Sequence, residues 1–141
     1  MRKIEYIFID PDCQDDNNKS CQRAVPNFGY HYVVNSEGLV TNPTDISLTA
    51  NIITGPVYNL DKYNRRSIFV RYCGAISTGI CCNTIMAQRA ALLQLLICLR
   101  KRFPEAKILD VSEIDSRELY CKNIIVSKAM NQLRRELSDL P

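Results

Sequence analysis

The chain has 141 residues, a hydrophobic fraction of 46%, a charged fraction of 23% and a formal net charge of +3. Its length is that of one ordinary domain, and its composition is that of a globular protein rather than a disordered one. The basic residues are scattered apart from a cluster at 100–102, and no basic stripe with interleaved aromatics occurs, so we expect no nucleic-acid partner. We predict a single domain over residues 1–141.

The sequence shows no targeting or membrane segment. The first apolar run, Tyr6 to Ile9, is bounded by Glu5 and Asp10 and is too short for the core of a signal peptide. No stretch approaches the length that crosses a membrane. We expect no membrane partner and a protein that is cytoplasmic as synthesised, with any export route undetermined.

Strand patterns predominate in the first half. The apolar run Ile4–Ile9 predicts a buried strand, and the polar, turn-rich residues 11–27 predict a loop. A second strand is predicted at Tyr30–Val34. A turn at 36–38 and a return strand at Leu39–Thr41 then complete a hairpin.

The second half begins after an ambiguous stretch at 42–66. Ser67–Cys73 predicts a strand, which a glycine-containing loop follows. The strongest helical pattern starts at Thr84, a capping residue, and ends at Phe103-Pro104, with its leucines and alanines expected in the core.

The last third predicts a short strand at Lys107–Leu109, a loop or short helix at 110–123, and an amphipathic helix at Ser127–Leu137. The predicted fold class is therefore α/β, with a central mixed sheet packed by a long helix and a C-terminal helix.

Seven cysteines is a high number for this length, and the number is odd. No CxxC pair occurs, which disfavours a zinc ribbon or a thioredoxin-type redox motif. Several of the cysteines lie in apolar runs, as buried reduced thiols do. A Cys13–Cys21 bridge stays open as an alternative.

Four segments carry a resemblance to a known family: MRKIEYIFI at 1–9, GYHYVVNSEGLV at 29–40, NRRSIFVRYCG at 64–74 and TIMAQRAALLQLLICLRKRFPEAKI at 84–108. They resemble the type 2 N-acetylmuramoyl-L-alanine amidases, which include phage amidase-type lysozymes and peptidoglycan recognition proteins. The resemblance implies a mixed sheet with helices packed against it. In active members, zinc cleaves the amide between N-acetylmuramic acid and L-alanine, because the metal polarises the carbonyl and acidifies its bound water.

The resemblance also implies where the site would lie. The family's first zinc-binding histidine corresponds to Asp10, and its second aligns with Val111, or with Glu113 if the spacing to the cysteine is held. The third ligand is retained as Cys121. Tyr30, from the GYH segment, corresponds to the tyrosine that assists at the oxyanion.

Other positions depart from the family. Leu119 stands where an assisting polar residue would be, and Asn51 stands where the family often carries a histidine. Residues 14–28 lack the family's helix, and the chain has no tryptophan, so one wall of the groove is expected to be remodelled or open.

The chain has one histidine, His31, so a two-histidine zinc site cannot form within it. Alternation along the predicted strand puts His31 on the opposite face from Tyr30 and Tyr32, which predicts a structural role.

Three alternative sites follow from the residues. Asp10, Glu113 and Cys121 would make an acidic, thiolate-containing metal site, and its metal would be zinc if the chain is active. The acidic stretch at 10–18 lacks the glycine and distal glutamate of an EF-hand loop, so a solvated loop is favoured over calcium. Cys121 with His31 as its base would need both to face one cleft, which the implied fold argues against.

The leading hypothesis is an amidase-fold protein that has lost zinc-dependent hydrolysis, holds no cofactor, and binds a peptidoglycan fragment or acts as a regulatory module. The first alternative is an active amidase that uses the Asp10, Glu113 and Cys121 site, with Tyr30 as its catalytic tyrosine. The second alternative is a scaffold that only binds a protein partner.

Overall fold

A five-stranded mixed sheet forms the centre of the molecule. The computed structural model describes residues 1–11, 29–35, 37–53, 59–72, 83–114 and 124–139. The strands are β1 (Tyr6–Pro11), β2 (Tyr32–Val34), β3 (Val40–Thr41), β4 (Ser67–Tyr72) and β5 (Lys107–Asp110). The helices are α1 (Leu60–Arg65), α2 (Asn83–Arg102) and α3 (Ile124–Ser138), and a 3₁₀ turn spans Val111–Glu113.

The strand order is β3-β2-β4-β1-β5. β1 pairs in parallel with β4 and β5, β2 pairs in parallel with β4, and β3 is antiparallel to β2. This arrangement confirms the α/β class, the mixed sheet and the predicted hairpin. Because four strands are parallel, their carboxyl ends meet at one edge of the sheet, where α/β folds place their ligands.

One face of the sheet packs against α2 and α3. Alternation along β1 sends Ile7 and Ile9 to this face and Phe8 to the other. α2 buries Leu92, Leu96 and Leu99 here, at helical spacing, and α3 adds Met130, Leu133 and Leu137. The long helix and the C-terminal helix therefore pack as predicted.

The expectation that the alanines of α2 lie in the core is wrong for two of them. Ala87 and Ala90 are exposed, because the buried stripe follows Gln88 and Leu92 along the neighbouring helical positions. Gln88 is buried, and its side chain donates to the Asn35 carbonyl oxygen at 3.0 Å, which joins α2 to the end of β2. No helix in the described part of the chain is long and apolar enough to cross a membrane.

The other face carries an aromatic layer. The rings of Phe8 and Phe69 stack at 5.4 Å, and Tyr6 and Tyr63 pack edge-on at 5.1 Å. Tyr63 belongs to α1, a helix of 6 residues that lies within the stretch left ambiguous by the sequence. Buried Asn64 fixes α1 by bonding both the N–H and the carbonyl of Ile53 at 2.9 Å.

Candidate functional site at the carboxyl edge of the sheet

Asp10 lies near the carboxyl end of β1, on the face of the aromatic layer. β1 begins at Tyr6 and runs to Pro11, so Asp10 belongs to the strand instead of following it as the predicted boundary implied. Its backbone is in register with Arg71 of β4. Asp10 is 4% exposed, and a buried carboxylate requires hydrogen-bond donors.

Tyr30 supplies a donor to Asp10. The Tyr30 hydroxyl donates to Asp10 Oδ2 at 2.5 Å, and the tyrosine is fully buried in the cluster that contains Phe8 and Phe69. This distance is typical of an O–H···O⁻ bond, which is about twice as strong as a neutral one. The structure therefore brings together the two residues that the resemblance placed at the metal and at the oxyanion.

Arg71 completes the group at this edge. Its guanidinium carbon lies over the Tyr30 ring, 5.4 Å from the ring centroid, within the range of a cation–π contact. Arg71 is partly exposed, whereas Asp10 and Tyr30 are buried. We define these three residues as the carboxyl-edge triad, in which one cation and one carboxylate flank a phenol.

Arg71 was not singled out from the sequence. The signal was present, because Arg71 follows Phe69 at a spacing of two in a buried strand and so shares its face. What the sequence could not supply was the parallel pairing with β1, which sets Arg71 beside Asp10. The chemical significance of Arg71 depends on that register.

The only histidine of the chain is part of the sheet. The backbone N–H of His31 donates to the Phe69 carbonyl at 3.1 Å, and the Phe69 N–H donates to His31 Nδ1 at 3.0 Å. In a regular β ladder the Phe69 N–H would bond a backbone carbonyl of the neighbouring strand. Here the ring nitrogen of His31 takes the place of that carbonyl. Because Nδ1 is an acceptor, the proton of the neutral ring lies on Nε2 and is donated to the Leu48 carbonyl at 2.7 Å.

The environment of His31 favours the neutral ring. Burial lowers the pKa of His31, and the charge of Arg2, whose Nη2 lies 3.0 Å from Nε2, lowers it further. The hydrogen bond to Leu48 and the charge of Asp45 act in the opposite direction but are outweighed. With both ring nitrogens engaged, His31 has a structural role in the sheet.

The prediction that His31 lies on the opposite face from Tyr30 is wrong, whereas its position on the opposite face from Tyr32 is confirmed. Tyr30 belongs to the aromatic-face cluster, Tyr32 packs with the helix-face cluster, and the His31 ring stacks on Phe69 at 6.2 Å. The reason is that β2 begins at Tyr32, so strand alternation does not extend back to the two preceding residues.

Glu113 lies in the 3₁₀ turn and is engaged by α3. Its Oε1 accepts the backbone N–H of Asp110 at 2.8 Å and also bonds the Arg134 guanidinium. Arg134 in turn donates to the Ile108 carbonyl at 2.9 Å. The carboxylate of Glu113 therefore ties β5 to α3 on the helix face, whereas Asp10 points to the aromatic face.

The remaining candidates are dispersed. Val111 is buried in the aromatic-face cluster, and Asn51 is exposed. Several candidates lie outside the described residues: Cys121, Leu119, the 14–28 segment and the proposed Cys13–Cys21 bridge. Cys98 is a free thiol on the exposed side of α2, which differs from the buried position expected of cysteines in apolar runs.

Two of the three predicted metal ligands, Asp10 and Glu113, lie within the described residues. Within the described ranges, no group of three or more His, Cys, Asp or Glu side chains is placed to hold a metal ion. Of the three predicted ligands, Asp10 and Glu113 have the separate partners given above, and Cys121 is outside those ranges. The arrangement at Asp10 is instead suited to binding, with a phenol, a carboxylate and a cation at a strand edge.

No protein-family model matches the chain, and no curated protein matches it. The resemblance to the amidases therefore rests on the four segments quoted from the sequence.

Proposed function

We propose that this chain is an amidase-fold module that binds a peptidoglycan fragment without hydrolysing it. The observation that carries the proposal is the hydrogen bond between Tyr30 and Asp10. In the amidases that the sequence resembles, the corresponding positions hold a metal ligand and an oxyanion-assisting phenol. In this chain the Tyr30 hydroxyl donates its hydrogen bond to the Asp10 carboxylate.

Two further observations support the loss of hydrolysis. The chain has one histidine, and its two ring nitrogens bond backbone groups of Phe69 in β4 and of Leu48 in the segment after β3, so this ring is committed to structure. Glu113 bonds Arg134 and the backbone N–H of Asp110, so serving a metal together with Asp10 would require it to give up both contacts.

Arg71 supports the binding half of the proposal. A muropeptide carries carboxylates on its stem, and a guanidinium pairs with carboxylates through a fork of donors. A guanidinium has five N–H donors, so one arginine can be held within the protein and still bind a ligand. Its position at the carboxyl ends of parallel strands is where α/β folds bind ligands.

Co-sedimentation with purified insoluble peptidoglycan tests the binding. We expect the protein to pellet with the wall material at modest salt, and Arg71→Ala to lower the bound fraction. Arg135→Ala is the matched control, because it removes the same charge from an exposed position of α3, which packs on the opposite face of the sheet from the triad. Failure of the unaltered protein to co-sediment would favour the scaffold-only alternative.

Hydrolysis is tested separately on the same material. We expect no stem-peptide release when zinc is added, and no stoichiometric metal in elemental analysis of the purified protein. Zinc-dependent release that Asp10→Ala and Cys121→Ala abolish would instead establish the active-amidase alternative.

A further inference from the structure

The amino ends of the parallel strands carry a concentration of basic side chains. Nine lysines and arginines come together here from the segments 2–3, 62–66, 100–102 and 107. Residues 2–3 come before β1, residues 62–66 come before β4, residue 107 begins β5, and residues 100–102 form the last turn of α2. The amino ends of parallel strands lie at a common edge of the sheet. We call this surface the basic rim.

Hydrogen bonds and an ion pair join these segments into one surface. Arg66 Nη1 lies 2.9 Å from Glu5 Oε2, and the Lys107 backbone N–H donates to the Glu5 carbonyl at 2.9 Å. On the other side, Arg2 donates to the Arg65 carbonyl at 2.8 Å. The rim is therefore continuous across β1, β4 and β5.

The last turn of α2 belongs to the same surface. Arg2 Nε donates to the Ile46 carbonyl at 3.1 Å, which brings the loop of Asp45 to the rim. The turn after α2 joins Arg102 to Lys107 of the rim, because the Ala106 N–H donates to the Phe103 carbonyl at 3.1 Å and the Lys107 N–H donates to the Glu5 carbonyl at 2.9 Å.

The balance of charge on the rim is strongly positive. Against nine cations, the described rim contains four carboxylates, at Glu5, Asp45, Asp61 and Glu105. Glu5 and Asp61 are paired with Arg66 and Arg65, respectively. The whole chain has 18 basic and 15 acidic residues, so the residues outside the rim carry more acidic than basic side chains. The rim therefore carries more positive charge than the rest of the sequence.

We propose that the basic rim docks an acidic segment of a partner protein. Exposed cations such as Lys101, Arg102 and Lys107 complement carboxylates and accelerate encounter with them. A single-stranded nucleic acid fits less well, because its binding also needs exposed aromatic faces on which bases stack. The rings nearest the rim, Tyr63 and Phe103, are partly buried in packing. This surface lies at the opposite edge of the sheet from the carboxyl-edge triad and does not depend on muropeptide binding.

Fluorescence anisotropy with a fluorescein-labelled oligoglutamate peptide tests the proposal. We expect saturable binding at low salt, and Arg65→Glu and Lys101→Glu each to weaken it by about 3- to 10-fold, as reversal of an exposed charge does. The double variant Met86→Glu with Ala90→Glu, at exposed positions near the start of α2 and so at the far end of that helix from the rim, is the control, because it makes the same change in net charge; it should weaken binding by less than about 2-fold.

Three results would overturn the proposal. They are no peptide binding at low salt, equal weakening by the α2 double variant and the rim variants, and tighter binding of a single-stranded oligonucleotide of matched charge than of the peptide. Circular dichroism of each variant confirms folding. Because the two rim variants alter separate segments, either one is sufficient if the other does not fold.

Discussion

Replacing His31 with alanine is expected to lower the free energy of unfolding by about 2–4 kcal/mol. The imidazole accepts the Phe69 N–H and donates to the Leu48 carbonyl, and His31 and Phe69 are fully buried. Alanine leaves a buried donor without its acceptor, which costs about 1–3 kcal/mol, and the lost ring removes packing against Phe69.

The variant His31→Asn separates the two hydrogen bonds. The asparagine side-chain oxygen takes a position close to that of Nδ1 and can accept the Phe69 N–H, but the amide is too short to replace the bond to Leu48. We expect it to recover about 1 kcal/mol relative to alanine, the usual contribution of one hydrogen bond. If the two variants are equally unstable, the bond from Phe69 is not what makes His31 important.

The same residue predicts a pH dependence. Because burial lowers its pKa in the fold, the unfolded chain binds more protons than the folded protein below the ordinary histidine value of about 6.5. Stability rises with pH wherever the unfolded state binds more protons. The contribution of His31 is therefore fully present above about pH 6.5 and is lost as pH falls toward its folded pKa, by at most about 1.4 kcal/mol per pH unit.

Urea denaturation at a series of pH values between about 5 and 7 measures this slope. The pKa values of Glu5 and Asp45 are also lowered, but carboxylates lose their contribution only near and below about pH 4, so they affect a different window. Since His31 is the only histidine, His31→Asn should flatten the profile between about pH 5 and 6.5. An unchanged slope in this variant would refute the assignment of a neutral, buried ring.

Three other substitutions test the remaining supports of the fold by the same denaturation assay. Tyr30→Phe is expected to cost about 1–3 kcal/mol, because buried Asp10 loses a donor, and a loss below about 0.5 kcal/mol would contradict this. Asn64→Ala is expected to cost about 2–4 kcal/mol, because the N–H and the carbonyl of Ile53, both bonded at 2.9 Å, lose their partner. The control Asn51→Ala, at an exposed position, should change stability by less than about 0.5 kcal/mol. Gly38→Ala is expected to cost at least about 1–2 kcal/mol, because φ is 86° and the new Cβ would lie 3.0 Å from a carbonyl oxygen of α2; an unchanged midpoint would argue against this close approach.

The strands and the two long helices could be predicted because their signals are local. The apolar run of β1, the hairpin of β2 and β3, and the repeat of buried leucines in α2 each lie within one segment of sequence. α1 could not be predicted in this way. It has 6 residues, its preceding residue Asn59 has a left-handed φ of 60°, and it is held by the bonds of Asn64 to a distant loop.

The sequence predicted which residues belong to the candidate site, but it did not predict which side chains contact one another. The resemblance identified Asp10 and Tyr30 as members of one site, and the structure places them in a direct hydrogen bond. Arg71 entered the site only through the parallel register of β4 with β1. Glu113 was grouped with Asp10 by spacing along the chain, yet the 3₁₀ turn directs its carboxylate to α3. Chain spacing carries no information about the face of the sheet on which a turn residue will lie.

The bond between Tyr30 and Asp10 is explained by local physics whether or not the chain descends from an amidase. A carboxylate that is 4% exposed needs donors, and a buried phenol needs an acceptor, so the pair stabilises the strand end by itself. Arg71 is the residue that distinguishes a binding site from a hydrogen-bonded pair with a purely structural role. A residue with only a structural role would, when replaced, change stability and ligand binding together, whereas a residue that binds ligand would change binding at unchanged stability. The comparison of Arg71→Ala with Arg135→Ala therefore has to report both the bound fraction and the urea midpoint, because the two variants remove the same charge from opposite faces of the sheet.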